Sequence, residues 1–153
     1  MNIFVGICSV LLSTIIGYLS SQKYRLIKDF YLSFSAFNKR LLNDIGFYQK
    51  SLIGIFNDYN DENDFFICAK AYVVMGESII KKKYMTSDDF EFFEKYLKEL
   101  GNVDKSLQLK HLSSYDELIL DKLKISAENE KKFKNLYLKL GLLIGIILFI
   151  IVI

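Results

Sequence analysis

The 153-residue chain carries 20 basic and 18 acidic residues, a net charge of +2, one histidine and two cysteines. Every charged residue lies between Lys23 and Lys139, and such bare ends point to lipid as a second solvent, because a soluble domain must show water a polar face along its whole length. Acidic and basic residues are interspersed, which argues against nucleic acid as a partner, and His111 with the distant pair Cys8 and Cys68 leaves no zinc set, triad or disulfide framework.

Residues 3–19 are apolar apart from Ser9, Ser13 and Thr14, whose hydroxyls can bond back to their own helix. Seventeen residues are the short end of what crosses a hydrocarbon core of about 30 Å. A cleaved signal peptide needs a basic region ahead of the apolar run, whereas here only Met1 and Asn2 precede it and Lys23, Arg25 and Lys28 follow. The positive-inside rule then predicts an anchor whose downstream chain faces the cytoplasm.

From Leu26 the apolar residues Phe30, Phe34, Phe37, Leu41 and Ile45 recur every three or four positions, a helical period. The polar run from Asp58 to Asp64 predicts a break, after which Asn63 or Asp64 caps a helix carrying Phe66, Ala69, Val73 and Ile80. This run also has spacing like a calcium loop in Asp58, Asn60, Glu62 and Asp64, but Asn63 occupies the sharp-turn position and Ala69 the place of the bidentate Glu. A polar loop is the better reading. Lys81, Lys82 and Lys83 read as the cationic end of a helix, or less simply as a contact for acidic headgroups.

A second break at 84–86 precedes a helix started by Thr86 or Ser87, with Phe90, Phe93 and Leu97 on its apolar face and Gly101 as its terminal cap. The last helix begins near 102–104, carries Leu107, Leu112, Leu118, Ile119, Leu123 and Phe133, and meets no glycine or proline before Gly141. It therefore runs on into the apolar residues 140–153. With 136–138 included and Lys139 snorkelling, eighteen residues give about 27 Å of helix. Lys131, Lys132, Lys134 and Lys139 flank this segment on the same side as the basic residues of the first, so both ends place the middle in the cytoplasm.

The predicted fold is all-α: a cytoplasmic bundle of about five helices over residues 23–135, flanked by transmembrane helices at 1–22 and 136–153. Ser9, Ser13 and Gly17, and likewise Gly141 and Gly145, are four apart, so each membrane helix offers a stripe for close helix packing, within one chain or in a homo-oligomer. Nothing in the sequence forms a catalytic constellation, and with no phosphate-binding glycine loop any nucleotide would be bound by a partner. No cofactor is expected.

The stretch running from Leu100 and Gly101 through Asp104, Lys105 and Gln108 to His111 and Leu112 resembles the Leu-Gly, then Asp, then Gln pattern of the stage III sporulation protein AB family. The likeness extends to the membrane helix with Gly17 near its end and to the Lys-rich helix entering a glycine-containing apolar segment. The Phe- and Tyr-rich, proline-free middle departs from it, most of all over 55–85. The resemblance implies a non-catalytic scaffold in the channel complex between mother cell and forespore. It also implies a middle domain similar to the cytoplasmic domain of the type II secretion F protein, with a secretion-type ATPase as partner. Within the block, Gly101 suits a left-handed cap, Asp104 faces the helix dipole, and Asp104 and Gln108 are one turn apart and can hydrogen-bond. Asp104, Lys105 and Gln108 are thus candidate partner-binding residues, with a turn that only packs the bundle as the plainer alternative. A general secretion or pilus platform protein, and a helical sensor or phage-type membrane protein, would share the architecture.

Overall fold

With no proline in the chain, no residue removes a backbone donor from a helix interior, and two very long helices form. The computed structural model describes residues 2–48, 51–59, 62–100 and 104–152, and among them there is no strand. Five helices follow one another: α1 (Asn2–Gly46), α2 (Leu52–Asp58), α3 (Asp64–Met75), α4 (Ser87–Glu99) and α5 (Lys105–Val152). At 45 and 48 residues, α1 and α5 are more than twice the length a bilayer needs, so each has residues to spare for a second task.

The chain divides into two compact units. One comprises residues 29–124 and contains the later part of α1, all of α2 to α4 and the first part of α5. Its core is largely aromatic. Phe30, Tyr31, Phe34 and Phe37 of α1 meet Phe56 of α2, Phe65 and Phe66 of α3, and Phe93 and Tyr96 of α4, all fully or almost fully buried. Phe34 lies near the centre, stacked on Phe65 at 4.6 Å and edge-on to Tyr96 at 4.6 Å. Such pairs add about 0.5 to 1.5 kcal/mol each beyond area burial, so ring geometry as well as volume holds these helices in register. On α5 the buried stripe is Gln108, Leu112, Tyr115 and Ile119, while Leu107 and Leu118, expected on the apolar face, are exposed.

Local chemistry sets the short helices. Thr86 makes a capping box with Asp89, as the Thr-x-x-Asp spacing allows, and Ser51 caps α2 by accepting from Gly54 N at 3.2 Å. α2 has only seven residues and no sequence expectation covered it. α3 starts from Asn63 as expected but stops at Met75, short of Ile80, because Gly76 turns left-handed at φ 69° and Glu77 N donates to Ala71 O at 3.1 Å. Lys81 to Lys83 consequently do not end a helix. They lie on the non-helical connector, where Lys82 and the Tyr84 hydroxyl both reach the Asp64 carboxylate at 2.8 Å and tie this strap to the start of α3. Hydrogen bonding from Lys82 holds the Asp64 carboxyl below its ordinary range against the opposing effect of burial.

The other unit pairs residues 1–28 with 125–153. Both segments are long and apolar enough to cross a membrane, and only 11% of each apolar window is buried within the chain. A core helix of a soluble protein hides its apolar surface, whereas these leave Phe4, Leu12, Ile16, Ile147 and Ile150 exposed. Cys8 and Cys68 are both free thiols.

Candidate functional site

α4 and α5 are fastened to each other close to where one gives way to the next by the Tyr115 hydroxyl, which donates to Glu99 Oε2 at 2.9 Å, and by the edge-on rings of Tyr96 and Tyr115 at 5.1 Å. Beyond that clasp comes the block singled out in the sequence. Gly101 lies outside the described residues. Asp104 stands just ahead of α5 as its cap: Oδ1 accepts from Leu107 N at 2.9 Å and from the Ser106 hydroxyl at 3.1 Å. Asp104 and Lys105 are both exposed. Gln108 is 9% exposed and points inward, and its Nε2 meets no partner among the described residues. The expected side-chain bond between Asp104 and Gln108 does not form, because the cap uses Oδ1 and Gln108 reaches Asp104 only through its backbone N, at 2.9 Å from the carbonyl. The block thus separates into an exposed acid and base at the tip and a buried amide behind them.

The small residues of the apolar segments face each other within the chain. The Ser13 hydroxyl donates to Gly141 O at 2.8 Å. A methyl group added at Gly17 would sit 2.5 Å from Tyr137 O, and one at Gly145 only 2.7 Å from Val10 Cα, so these backbones meet at distances that only glycine allows. The Ser9 hydroxyl instead bonds to Gly6 O of its own helix, at 2.7 Å. Nearer the charged residues Tyr24 stacks on Phe133 at 4.3 Å, and Lys28 pairs with Glu130 at 2.8 Å.

Two polar networks in the aromatic unit escaped sequence reading. Asn38 is fully buried; its Nδ2 donates to Leu112 O at 3.1 Å and to Asp116 Oδ1 at 3.3 Å, and its Oδ1 accepts from the Tyr96 hydroxyl at 3.1 Å. One amide thereby ties α1 to both α4 and α5. A signal was present, since Asn38 follows Phe34 by four and precedes Leu41 by three, squarely on the apolar stripe. Asp89 accepts from the Tyr31 hydroxyl at 2.6 Å and from the Thr86 hydroxyl at 2.6 Å, with Lys122 Nζ at 3.4 Å. Burial alone would raise the Asp89 carboxyl, but hydrogen bonds from Thr86 and Tyr31 and the charge on Lys122 outweigh it and hold it low. Burial first, and then Asp89, push the Tyr31 hydroxyl far above its usual range. Both networks join helices to one another. Among the described residues no group of three His, Cys, Asp or Glu side chains is placed to hold a metal. His111 is half-buried on α5, and its Nδ1 has no partner among the described residues.

The model of the stage III sporulation protein AB family matches residues 60–153, which take in α3, α4, the Asp104 cap and the whole of α5. The chain belongs to that family. As a stage III sporulation protein AB family member it is a sporulation-related membrane protein, and the resemblance first seen around Leu100 to Leu112 falls inside the matched stretch. The match also covers most of 55–85, where the likeness by motif was weakest, and leaves α1 and α2 outside it. Comparison with curated proteins and with solved structures finds no match.

Proposed function

We propose that this chain is a non-catalytic membrane scaffold in the channel complex between mother cell and forespore, and that it docks a secretion-type ATPase through the tip of its α4 and α5 hairpin. The observation that carries this is the first turn of α5 inside the family-matched stretch, where Asp104 and Lys105 are exposed on a cap that is already satisfied internally. A tip whose backbone needs are met by its own side chain has its charges available for another protein. The likeness to the cytoplasmic domain of the type II secretion F protein that the family resemblance implies points to the same reading.

The topology belongs to this proposal: residues 1–22 and 136–153 cross the membrane and residues 23–135 face the cytoplasm of the mother cell, because the basic flanks of both segments lie on one side. The deciding experiment is co-purification of the cognate ATPase with the full chain in detergent. Asp104→Asn keeps the capping oxygen and removes the charge, and Lys105→Glu reverses a charge that makes no cap, so both should fold normally and recover less ATPase. Undiminished recovery with both would move the partner surface elsewhere on the bundle.

A further inference from the structure

A polar recess opens on the membrane unit where the apolar segments give way to charge. It has a volume of 240 Å³, room for about eight water molecules, and is lined by Tyr18, Ser21, Gln22, Arg25, Lys28, Glu130 and Lys134. The basic side chains of Arg25, Lys28 and Lys134 line it together with the Glu130 carboxylate. Glu130 engages Lys28 at 2.8 Å and orders that side of the recess, while Arg25 and Lys134 bring charge from two different helices. Both cations lie at a similar depth: Arg25 is three residues past the first crossing segment, 1–22, and Lys134 two before the second, 136–153, about 3 to 5 Å along either helix. Long basic side chains at that level reach the headgroup layer.

From these features we infer that the recess binds the phosphate headgroup of an anionic membrane phospholipid. Arg25 offers a planar fork suited to phosphate oxygens, Lys134 a mobile point charge, and Tyr18 and Gln22 hydrogen-bond donors beside them. Tyr18, Gln22 and Arg25 share one face of α1, and the same face continues through Leu11 and Ile7, which are 59% and 50% exposed and give an acyl chain a surface to lie along. This continuity favours a lipid over a free phosphate ion, which would have no use for the apolar track. Basic recesses between membrane helices are a general means of selecting acidic lipids.

The test uses the full chain in detergent micelles, with bound lipid measured by native mass spectrometry after incubation with equal amounts of phosphatidylglycerol and phosphatidylcholine. Phosphatidylglycerol should be retained about tenfold over phosphatidylcholine. The Arg25→Gln, Lys134→Gln double variant should lose the preference, and Glu130→Gln, which raises the charge of the recess, should strengthen it several-fold. Equal retention of the two lipids, or no change in Glu130→Gln where the double variant fails to insert, overturns the proposal. Competition by inorganic phosphate at the concentration of the lipid overturns it too, by assigning the recess to a soluble anion.

Discussion

Asn38 is where the aromatic unit stakes most on one polar side chain. Replacing it with Leu keeps the number of side-chain heavy atoms and strands the Tyr96 hydroxyl, which is fully buried and donates to Asn38 Oδ1. An unsatisfied buried hydroxyl costs about 1 to 3 kcal/mol, and the lost amide bonds to Leu112 O and Asp116 Oδ1 add to that, whereas the gain from an added apolar side chain is partial because the site is already packed. A net loss of about 2 kcal/mol follows, enough to lower the melting temperature of a domain this size by roughly 8 to 16 °C. The near-ultraviolet circular dichroism of the full chain in detergent reads the transition, because its signal comes from ordered rings and the aromatic unit is dense in them. Tyr96→Phe alone leaves only Asn38 Oδ1 unpaired and should cost less, about 1 kcal/mol. The double variant removes both ends of the bond and should be more stable than the sum of the singles predicts, by about 1 kcal/mol. If Asn38→Leu melts with the wild type and the cycle is additive, the amide does not tie α1 to α4 and α5 as described.

Three further predictions follow from other parts of the molecule. In a chain freed of Cys8 and Cys68, a single cysteine at exposed Ser114 should resist an impermeant maleimide in intact cells and react once the membrane is opened; labelling in intact cells would refute the cytoplasmic placement of the bundle. Because the Asp89 carboxyl is held low in the fold, its stabilisation is complete above the unfolded value of about 3.9 and is lost as pH falls through the folded value, so the melting advantage of wild type over Asp89→Asn should be full at pH 7 and close below about pH 4; a gap independent of pH would show that the charge is not involved. Gly17→Val puts carbon against Tyr137 O and should force the apolar helices apart at a cost of about 1 to 3 kcal/mol, seen as slower cross-linking by a short reagent between cysteines placed at Leu12 and Ile144, and unchanged cross-linking would refute that close approach.

The parts of this fold legible in the sequence are those governed by one dominant local force. Absence of charge marked the apolar segments, absence of proline and glycine carried α5 without a break from Lys105 past Lys139, and Thr86 or Ser87 after a polar break marked the start of α4. Misreadings arose where two local signals competed. Ile80 was read as continuing the spacing of α3, but the left-handed Gly76 ended that helix first and left Ile80 69% exposed. At Asp104 the capping oxygen had two possible uses, and the backbone N of Leu107, which would otherwise lack an intrahelical partner, took it ahead of the Gln108 side chain. Asn38 was overlooked because a periodic apolar stripe says which face is buried and says nothing of whether a polar member of that face finds partners.

The family match begins at residue 60, yet the fold does not begin there. Phe30, Phe34, Phe37 and Leu41 of the unmatched α1 are 0 to 2% exposed, and Phe34 contacts Phe65 and Tyr96 from inside the matched stretch. Most of what α1 supplies to that core is apolar volume at helical spacing, which many residue combinations can satisfy. Three of its positions are held to more. Gly17 must stay small beside Tyr137 O, Ser13 must donate to Gly141 O, and Asn38 must present both ends of an amide to α4 and α5. The matched residues therefore cannot form this structure without α1, and a chain cut to residues 60–153 would expose one side of an aromatic core and leave Tyr96 without its acceptor.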